Sequence, residues 1–224
     1  MRLLVVLAEL LFPTRCSGCE LPGAVLCDRC RAELPRIDRT GACPRCGAPF
    51  GVLTCTECWN REWAFSAALA LGEFERPLSR AVVLHKDAGE RRLAPVLGTL
   101  LGQAVAAEWP GWAETVAFVP ATRAALLRRG FDHGRAIADA LAGELGVGVS
   151  AALTRAAARD QRALGRSARA ANVAGSFSAA EEVRGRLLLT DDVFTTGATL
   201  DAAAAVLLEC GAQEVRVAAV ARTW

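Results

Sequence analysis

Eight of the nine cysteines lie within the first 58 residues, as four Cys-x-x-Cys pairs: Cys16/Cys19, Cys27/Cys30, Cys43/Cys46 and Cys55/Cys58. No other feature constrains the fold as strongly. One Cys-x-x-Cys turn delivers two thiolates, and two such turns complete a tetrahedron around zinc. A secreted disulfide scaffold spreads its cysteines through the whole fold, whereas here only Cys210 stands apart. The stretch from Cys16 to Arg61 also carries proline and glycine and little helical period. Its core is too small to fold without metal. Seven residues separate Cys19 from Cys27, and eight separate Cys46 from Cys55. Each half can therefore close its own four-thiolate site, giving two zinc ions. A crossed arrangement, first pair with third and second with fourth, uses the same ligands. Either way protein fills every coordination position, so the zinc is structural. Trp59 and Trp63, just after the last pair, read as packing residues.

The chain has 224 residues, enough for one α/β domain plus a small appendage. Hydrophobic residues make up 53% and charged residues 22%, which excludes a disordered chain. A net charge of +2 points neither toward nor away from nucleic acid. Lys86 is the only lysine, and this bias is assigned no functional weight. The apolar run Met1–Phe12 is too short to span a bilayer, holds Glu9 and lacks a small-residue cleavage pattern. It reads as a short helix that stops near Pro13, not as a signal sequence. No other stretch reads as a membrane span. Free thiolates fit a reducing, cytoplasmic setting.

The expected division is residues 1–62, a leading helix plus the cysteine module, and residues 63–224, the main domain. Within the latter, 65–71, 115–119, 186–190 and 214–221 read as strands. Segments 77–85, 91–108, 132–145 and 197–210 read as helices, with Asp132 capping one and Gly146 ending it. The arginine-rich stretch 156–172 reads as a long loop. Alternating strands and helices predict a mostly parallel sheet covered on both faces. Cys210 is expected to be a buried core thiol.

The segment Leu187–Leu200, LLLTDDVFTTGATL, carries the chemistry. An apolar strand is expected to end at Asp191 and Asp192, and the turn Thr195-Thr196-Gly197-Ala198-Thr199 opens a helix. A helix N-terminus presents unpaired N–H groups and a positive dipole end, which suits a phosphate. Gly197 permits a tight turn, and the threonine hydroxyls add donors. Adjacent carboxylates repel phosphate, but they accept hydrogen bonds from two sugar hydroxyls or bind a metal. Together these groups describe a seat for ribose 5-phosphate. The bland alternative is a capped helix beside solvated acids. No GxxxxGK[ST] motif is present, so this is not a P-loop of that type.

The segment resembles the signature of type I phosphoribosyltransferases. The whole chain resembles the ComF family, competence-associated phosphoribosyltransferase-like proteins with an N-terminal double zinc ribbon. The match is carried by LFPxxCxxC at Leu11–Cys19, by Arg129-Gly130-Phe131, by the block Gln161, Leu164, Arg169, Asn172, Val173 and Phe177, and by Asp191–Leu200. The resemblance implies that Asp191 and Asp192 hold the ribose hydroxyls. It implies that Thr195, Thr196, Gly197, Ala198 and Thr199 wrap the 5-phosphate. Pro120–Arg123 would meet pyrophosphate, and 156–169 would close over the reaction as a hood. Where the family usually continues Arg-Gly-Phe with Asn-Gln, this chain has Asp132-His133. His133 reads equally well as a surface residue or a catalytic one.

These expectations favour a phosphoribosyltransferase that binds phosphoribosyl pyrophosphate with Mg²⁺, its leaving group held by Arg123, Arg162 and Arg169. No acceptor pocket is legible. The rival is a non-catalytic protein that binds phosphoribosyl pyrophosphate or single-stranded DNA and serves DNA uptake. Its support is the run Arg155, Arg159, Arg162, Arg166 and Arg169, which lacks the stacking aromatics of a single-strand groove. A sensor of phosphoribosyl pyrophosphate is a third possibility. The sequence sets no oligomeric state.

Overall fold

A strand buried on both faces is apolar at every position, and the chain has two such runs: Leu187–Leu189 and Val217–Ala221 are all at most 1% exposed. They form the centre of the sheet in the computed structural model, which describes residues 13–49, 54–155 and 176–224. The sheet comprises β1 (Ala67–Glu73), β2 (Thr115–Phe118), β3 (Gly148–Ser150), β6 (Arg186–Phe194) and β7 (Glu214–Arg222). Its order is β1-β7-β6-β2-β3, and every pairing is parallel. The short strands β4 (Leu153–Arg155) and β5 (Phe177–Ala179) form a separate antiparallel ribbon.

Successive residues of each strand face opposite layers. Leu188, Val116, Ala218 and Val220 join one core cluster. Leu187, Leu189, Ala117, Val217 and Ala219 join the other. Seven helices lie among the described residues: α1 (Asp28–Ala32), α2 (Thr56–Trp59), α3 (Leu78–Lys86), α4 (Leu93–Glu108), α5 (Arg123–Arg129), α6 (His133–Leu145) and α7 (Ala198–Glu209). The first core cluster takes α3, α4 and α6, while α7 covers the opposite face. Close packing of α4 on α6 needs Gly98, where a Cβ would lie 2.5 Å from that of Ala140 and 2.7 Å from the Ile137 carbonyl oxygen. The expected caps are present: Asp132 Oδ1 accepts from the Arg135 N–H at 3.1 Å, and Gly146 ends α6 at φ 70°.

The cysteine-rich segment shares the core of the sheet. Cys16, Leu26, Cys30 and Leu34 lie in the first cluster, and Cys43, Cys46, Ala48 and Cys58 in the second. Each four-cysteine set thus packs toward a different face. Residues 35–36 run along the outer edge of β1, where the Glu73 N–H donates to the Pro35 carbonyl at 2.8 Å.

Several boundaries differ from expectation. The strand expected to stop at Asp191 runs on to Phe194, because β7 keeps pairing with it to Arg222. β1 is displaced to 67–73 for the same reason, its ends being set by Arg216 and Arg222 of β7. Cys210 caps the end of α7 and is half-buried, not a fully buried core thiol. Trp59 is 74% exposed and packs little, whereas Trp63 packs as expected. Residues 1–12 of the expected leading helix and the expected loop 156–172 lie outside the described residues. Among the described residues, no helix is long and apolar enough to cross a membrane.

Candidate functional site

β6 outruns its neighbour β2. The last rung on that side is the Val119 N–H to the Thr190 carbonyl at 3.0 Å. Beyond it, Asp191 and Asp192 are paired on one side only, with β7, so the other side opens into a cavity of about 270 Å³. Parallel sheets place ligands at this position, where strand ends diverge from their coverings. The cavity is walled by Asp191, Asp192, Val193, Thr195 and Thr199, by the turn Val119–Thr122, and by Lys86, Arg129, His133 and Arg155.

Asp192 is buried and Asp191 is half-buried, so neither is a fully solvated acid. Asp192 is 3% exposed and its Oδ2 lies 2.5 Å from Lys86 Nζ. Burial opposes ionisation of Asp192, but Lys86 outweighs it and holds the carboxyl below its usual range. Asp191 goes the other way: burial and the adjacent Asp192 charge raise it well above the usual carboxylate value. Two backbone bonds stiffen this stretch, Asp192 N–H to Asp191 Oδ1 at 2.8 Å and Val193 N–H to Asp192 Oδ1 at 2.9 Å.

His133 is buried, at 6% exposure, with Nε2 3.6 Å from Asp192 Oδ2. It is therefore no surface residue. Burial lowers its pKa despite the pull of Asp192, and Lys86 and Arg129 lower it further. Arg129 Nη1 sits 3.3 Å from Nδ1. Since a guanidinium can only donate, Nδ1 accepts and the neutral ring carries its proton on Nε2, facing the acids. Asp132 binds the adjoining turn by accepting from the Ala121 N–H at 3.0 Å. The departure from the family's Asn-Gln therefore supplies a turn anchor and a buried neutral imidazole.

The turn Thr195–Gly197 joins β6 to α7. Gly197 is its helix N-cap at φ 76°, a left-handed conformation costly for any residue with a Cβ. No side chain closely caps the helix: Thr196 Oγ1 approaches the Ala198 N–H only at 3.5 Å. The only acid of the first turn, Asp201, is turned away to accept from the Ala64 N–H at 2.7 Å. Apart from that Ala198 contact, the described side chains leave the first N–H groups of α7 open to an anion. Thr195 and Thr199 face the cavity, while Thr196 lines a second, larger cleft of about 750 Å³ on the outer side of the turn.

Of the expected arginines, Arg123 begins α5, is exposed and does not line the acid cavity. Arg162 and Arg169 lie outside the described residues. Lys86, Arg129 and Arg155 are the cations that line the cavity. Sequence reasoning passed over Lys86 as a compositional accident, although a lone lysine in an arginine-rich chain was the available signal. Arg155 ends β4 at the point where the expected hood departs, and lies over Phe177 of β5 at 5.2 Å.

The cysteines form two sequential sets, Cys16/Cys19/Cys27/Cys30 and Cys43/Cys46/Cys55/Cys58, and the crossed arrangement is excluded. In each set all four sulfurs lie within 4.8 Å of one another. Separations of 3.6 Å for Cys16–Cys27, 3.7 Å for Cys19–Cys27 and 3.5 Å for Cys46–Cys55 are far from a disulfide. They match the roughly 3.8 Å edge of a tetrahedron with metal–sulfur bonds near 2.3 Å. Both sites are built alike, from a turn followed by a short helix whose N-cap is Cys27 or Cys55. Burial works against ionisation of Cys16 and Cys43, but backbone N–H donors outweigh it and hold them at about 6 and about 7. Burial and the neighbouring sulfurs push Cys30 up to about 12. A bound dication offsets that penalty, so the residues fit a structural tetrahedral metal.

With this geometry in place, likeness to known proteins can be weighed. A family model described as "Phosphoribosyl transferase domain" matches residues 124–223. The "DNA utilization protein YhgH" of Salmonella typhi is 30% identical over 94% of this chain and 98% of its own length. The protein of the same name from Escherichia coli K12 has the same identity and coverage. The chain belongs to the ComF family. Two solved structures show weaker likeness. The "allosteric regulatory enzyme of purine biosynthesis" has a TM-score of 0.40 and 22% identity, covering 57% of this chain and 26% of its own. Adenine phosphoribosyltransferase from Leishmania tarentolae has a TM-score of 0.39 and 14% identity, covering 62% and 74%. In this ComF-family chain, the matched domain begins within α5 and contains His133, both acids and the whole phosphate turn.

Proposed function

We propose that the protein binds phosphoribosyl pyrophosphate with Mg²⁺ and transfers the phosphoribosyl group to a nucleophilic acceptor. The observation that carries this reading is the juxtaposition in one cavity of an acid pair, with Asp192 buried, and the first turn of α7. The 5-phosphate would take the N–H groups of Ala198 and Thr199 and the hydroxyls of Thr195 and Thr199. Asp191 and Asp192 would accept hydrogen bonds from the ribose hydroxyls. Lys86, Arg129 and Arg155 would face the pyrophosphate, and Arg123, Arg162 and Arg169 would join them on closure of the hood. Mg²⁺, when bound, would neutralise charge on the leaving pyrophosphate. His133 would direct its Nε2 proton toward Asp192, adding to the Lys86 contact that stabilises that carboxylate. Both four-cysteine sites would hold zinc, and reduced thiolates favour a cytoplasmic setting.

The test is calorimetric titration of phosphoribosyl pyrophosphate with Mg²⁺ into wild type and Asp191→Asn/Asp192→Asn. Micromolar binding abolished by the double substitution supports the reading, and no binding to zinc-loaded wild type refutes it. A second reading, a non-catalytic DNA-handling protein, draws support from relatives named for DNA utilization. It predicts single-stranded DNA binding whose affinity falls with salt over several phosphates.

A further inference from the structure

We propose that Trp63 is a positioning residue through which the second four-cysteine site holds the phosphate turn in its binding conformation. The inference rests on the phosphate and zinc readings above and adds a coupling between them.

Trp63 Nε1–H donates to Cys58 Sγ at 3.2 Å, so one end of the indole is tied to a metal ligand. The other end meets the turn. A Cβ on Gly197 would lie 2.7 Å from Trp63 Cη2 and Cζ3 and 2.6 Å from Phe194 Cε2, so both rings pack directly on that residue. Trp63 stacks on Phe65 at 4.9 Å, and Phe194 meets Trp63 edge-on at 6.1 Å. Arg61 lies over the Trp63 ring at 3.6 Å and donates to the Thr196 carbonyl at 3.3 Å.

A second contact runs parallel. Arg222, 3% exposed, donates from Nη2 to Cys46 Sγ at 3.4 Å and lies 3.9 Å over the Phe194 ring. Four thiolates around a divalent ion carry a net charge of −2, and the Trp63 N–H and the Arg222 guanidinium both face that charge. Both donors therefore tie the rings seated on Gly197 to sulfurs of the second site. Among the described residues, hydrogen bonds to the sulfurs of the first site stay within its own loops.

The decisive variant is Trp63→Phe, which removes the N–H to Cys58 and draws the ring edge back from Gly197. Three quantities are read: zinc per chain, amide hydrogen exchange over residues 195–200, and calorimetric affinity for ribose 5-phosphate. Exchange in the turn should quicken about tenfold, and ribose 5-phosphate should bind about tenfold more weakly, the size of one lost hydrogen bond to a charged group. The thermal midpoint should stay close to wild type, which separates positioning from general destabilisation. Arg222→Lys, which keeps the charge and loses the stacking, should shift exchange in the same direction and serves if Trp63→Phe does not fold. Unchanged exchange over 195–200 overturns the proposal. Failure of wild type to bind ribose 5-phosphate overturns the phosphate reading instead, and the exchange measurement still decides the coupling.

Discussion

Replacing Lys86 with methionine isolates the charge that keeps Asp192 ionised. At the observed 2.5 Å the gross attraction is roughly 7 kcal/mol with an effective dielectric of 20. Desolvation cancels much of this, and the lysine side chain is 33% exposed, so solvent screens it further. The net cost of Lys86→Met should be about 2 kcal/mol at pH 7, most of it from leaving Asp192 buried beside Asp191 without its partner. Urea unfolding across a pH series is the assay. Asp192 has a depressed pKa in the folded state, so its contribution is complete above the unfolded value of 3.8 and is lost as pH falls through the folded value. The gap between wild type and Lys86→Met should therefore be full at neutral pH and shrink below about pH 4. It should also nearly vanish in an Asp192→Asn background, since no buried charge then needs pairing. An equal loss at pH 3, or an undiminished loss in that background, would show that Lys86 acts by packing instead.

Three further outcomes follow from the geometry. Gly197→Ala forces a Cβ into a left-handed residue and against two aromatic rings, and should cost about 3 kcal/mol in chemical unfolding and abolish ribose 5-phosphate binding; a stable variant that binds normally would contradict the described turn. His133 has a folded pKa below its usual 6.5, so the unfolded chain binds the extra proton and stability should fall as pH drops below about 6.5. His133→Gln should flatten that slope in urea midpoints between pH 5 and 7, and an unchanged slope would assign it to another group. Metal analysis should find about two zinc ions per chain, and chelation should unfold residues 14–58 first by hydrogen exchange; a metal-free, folded, disulfide-linked protein would reject both sites.

Local chemistry made much of this protein legible in the chain. The cysteine pairs announced which thiols gather, though not in which sets, because two residues between thiols span one turn. The caps Asp132 and Gly146 and the Thr195–Thr199 turn were readable because their geometry lies within a few consecutive residues. Helix α5 and strands β3, β4 and β5 were missed because pieces of three to seven residues carry too few turns or alternations to show a period. The extension of β6 through both acids was hidden because strand ends depend on the partner, and β7 is not adjacent information in a sequence.

What pairs distant parts of the chain could be known only from packing. Nothing in the residues around Lys86 says that α3 points its last turn at the end of β6, yet that contact decides which acid stays ionised. His133 reads as a first-turn surface residue or a catalytic one until α6 is laid beside the sheet, where burial lowers its pKa. The four cysteine pairs permitted two pairings, and the fold chose the sequential one by setting each set toward its own face. Ligand identity is a property of short segments, because bonding distances and turn geometry act over a few residues. Protonation, strand length and the contact between Cys58, Trp63 and Gly197 are properties of burial, which exists only once the layers close.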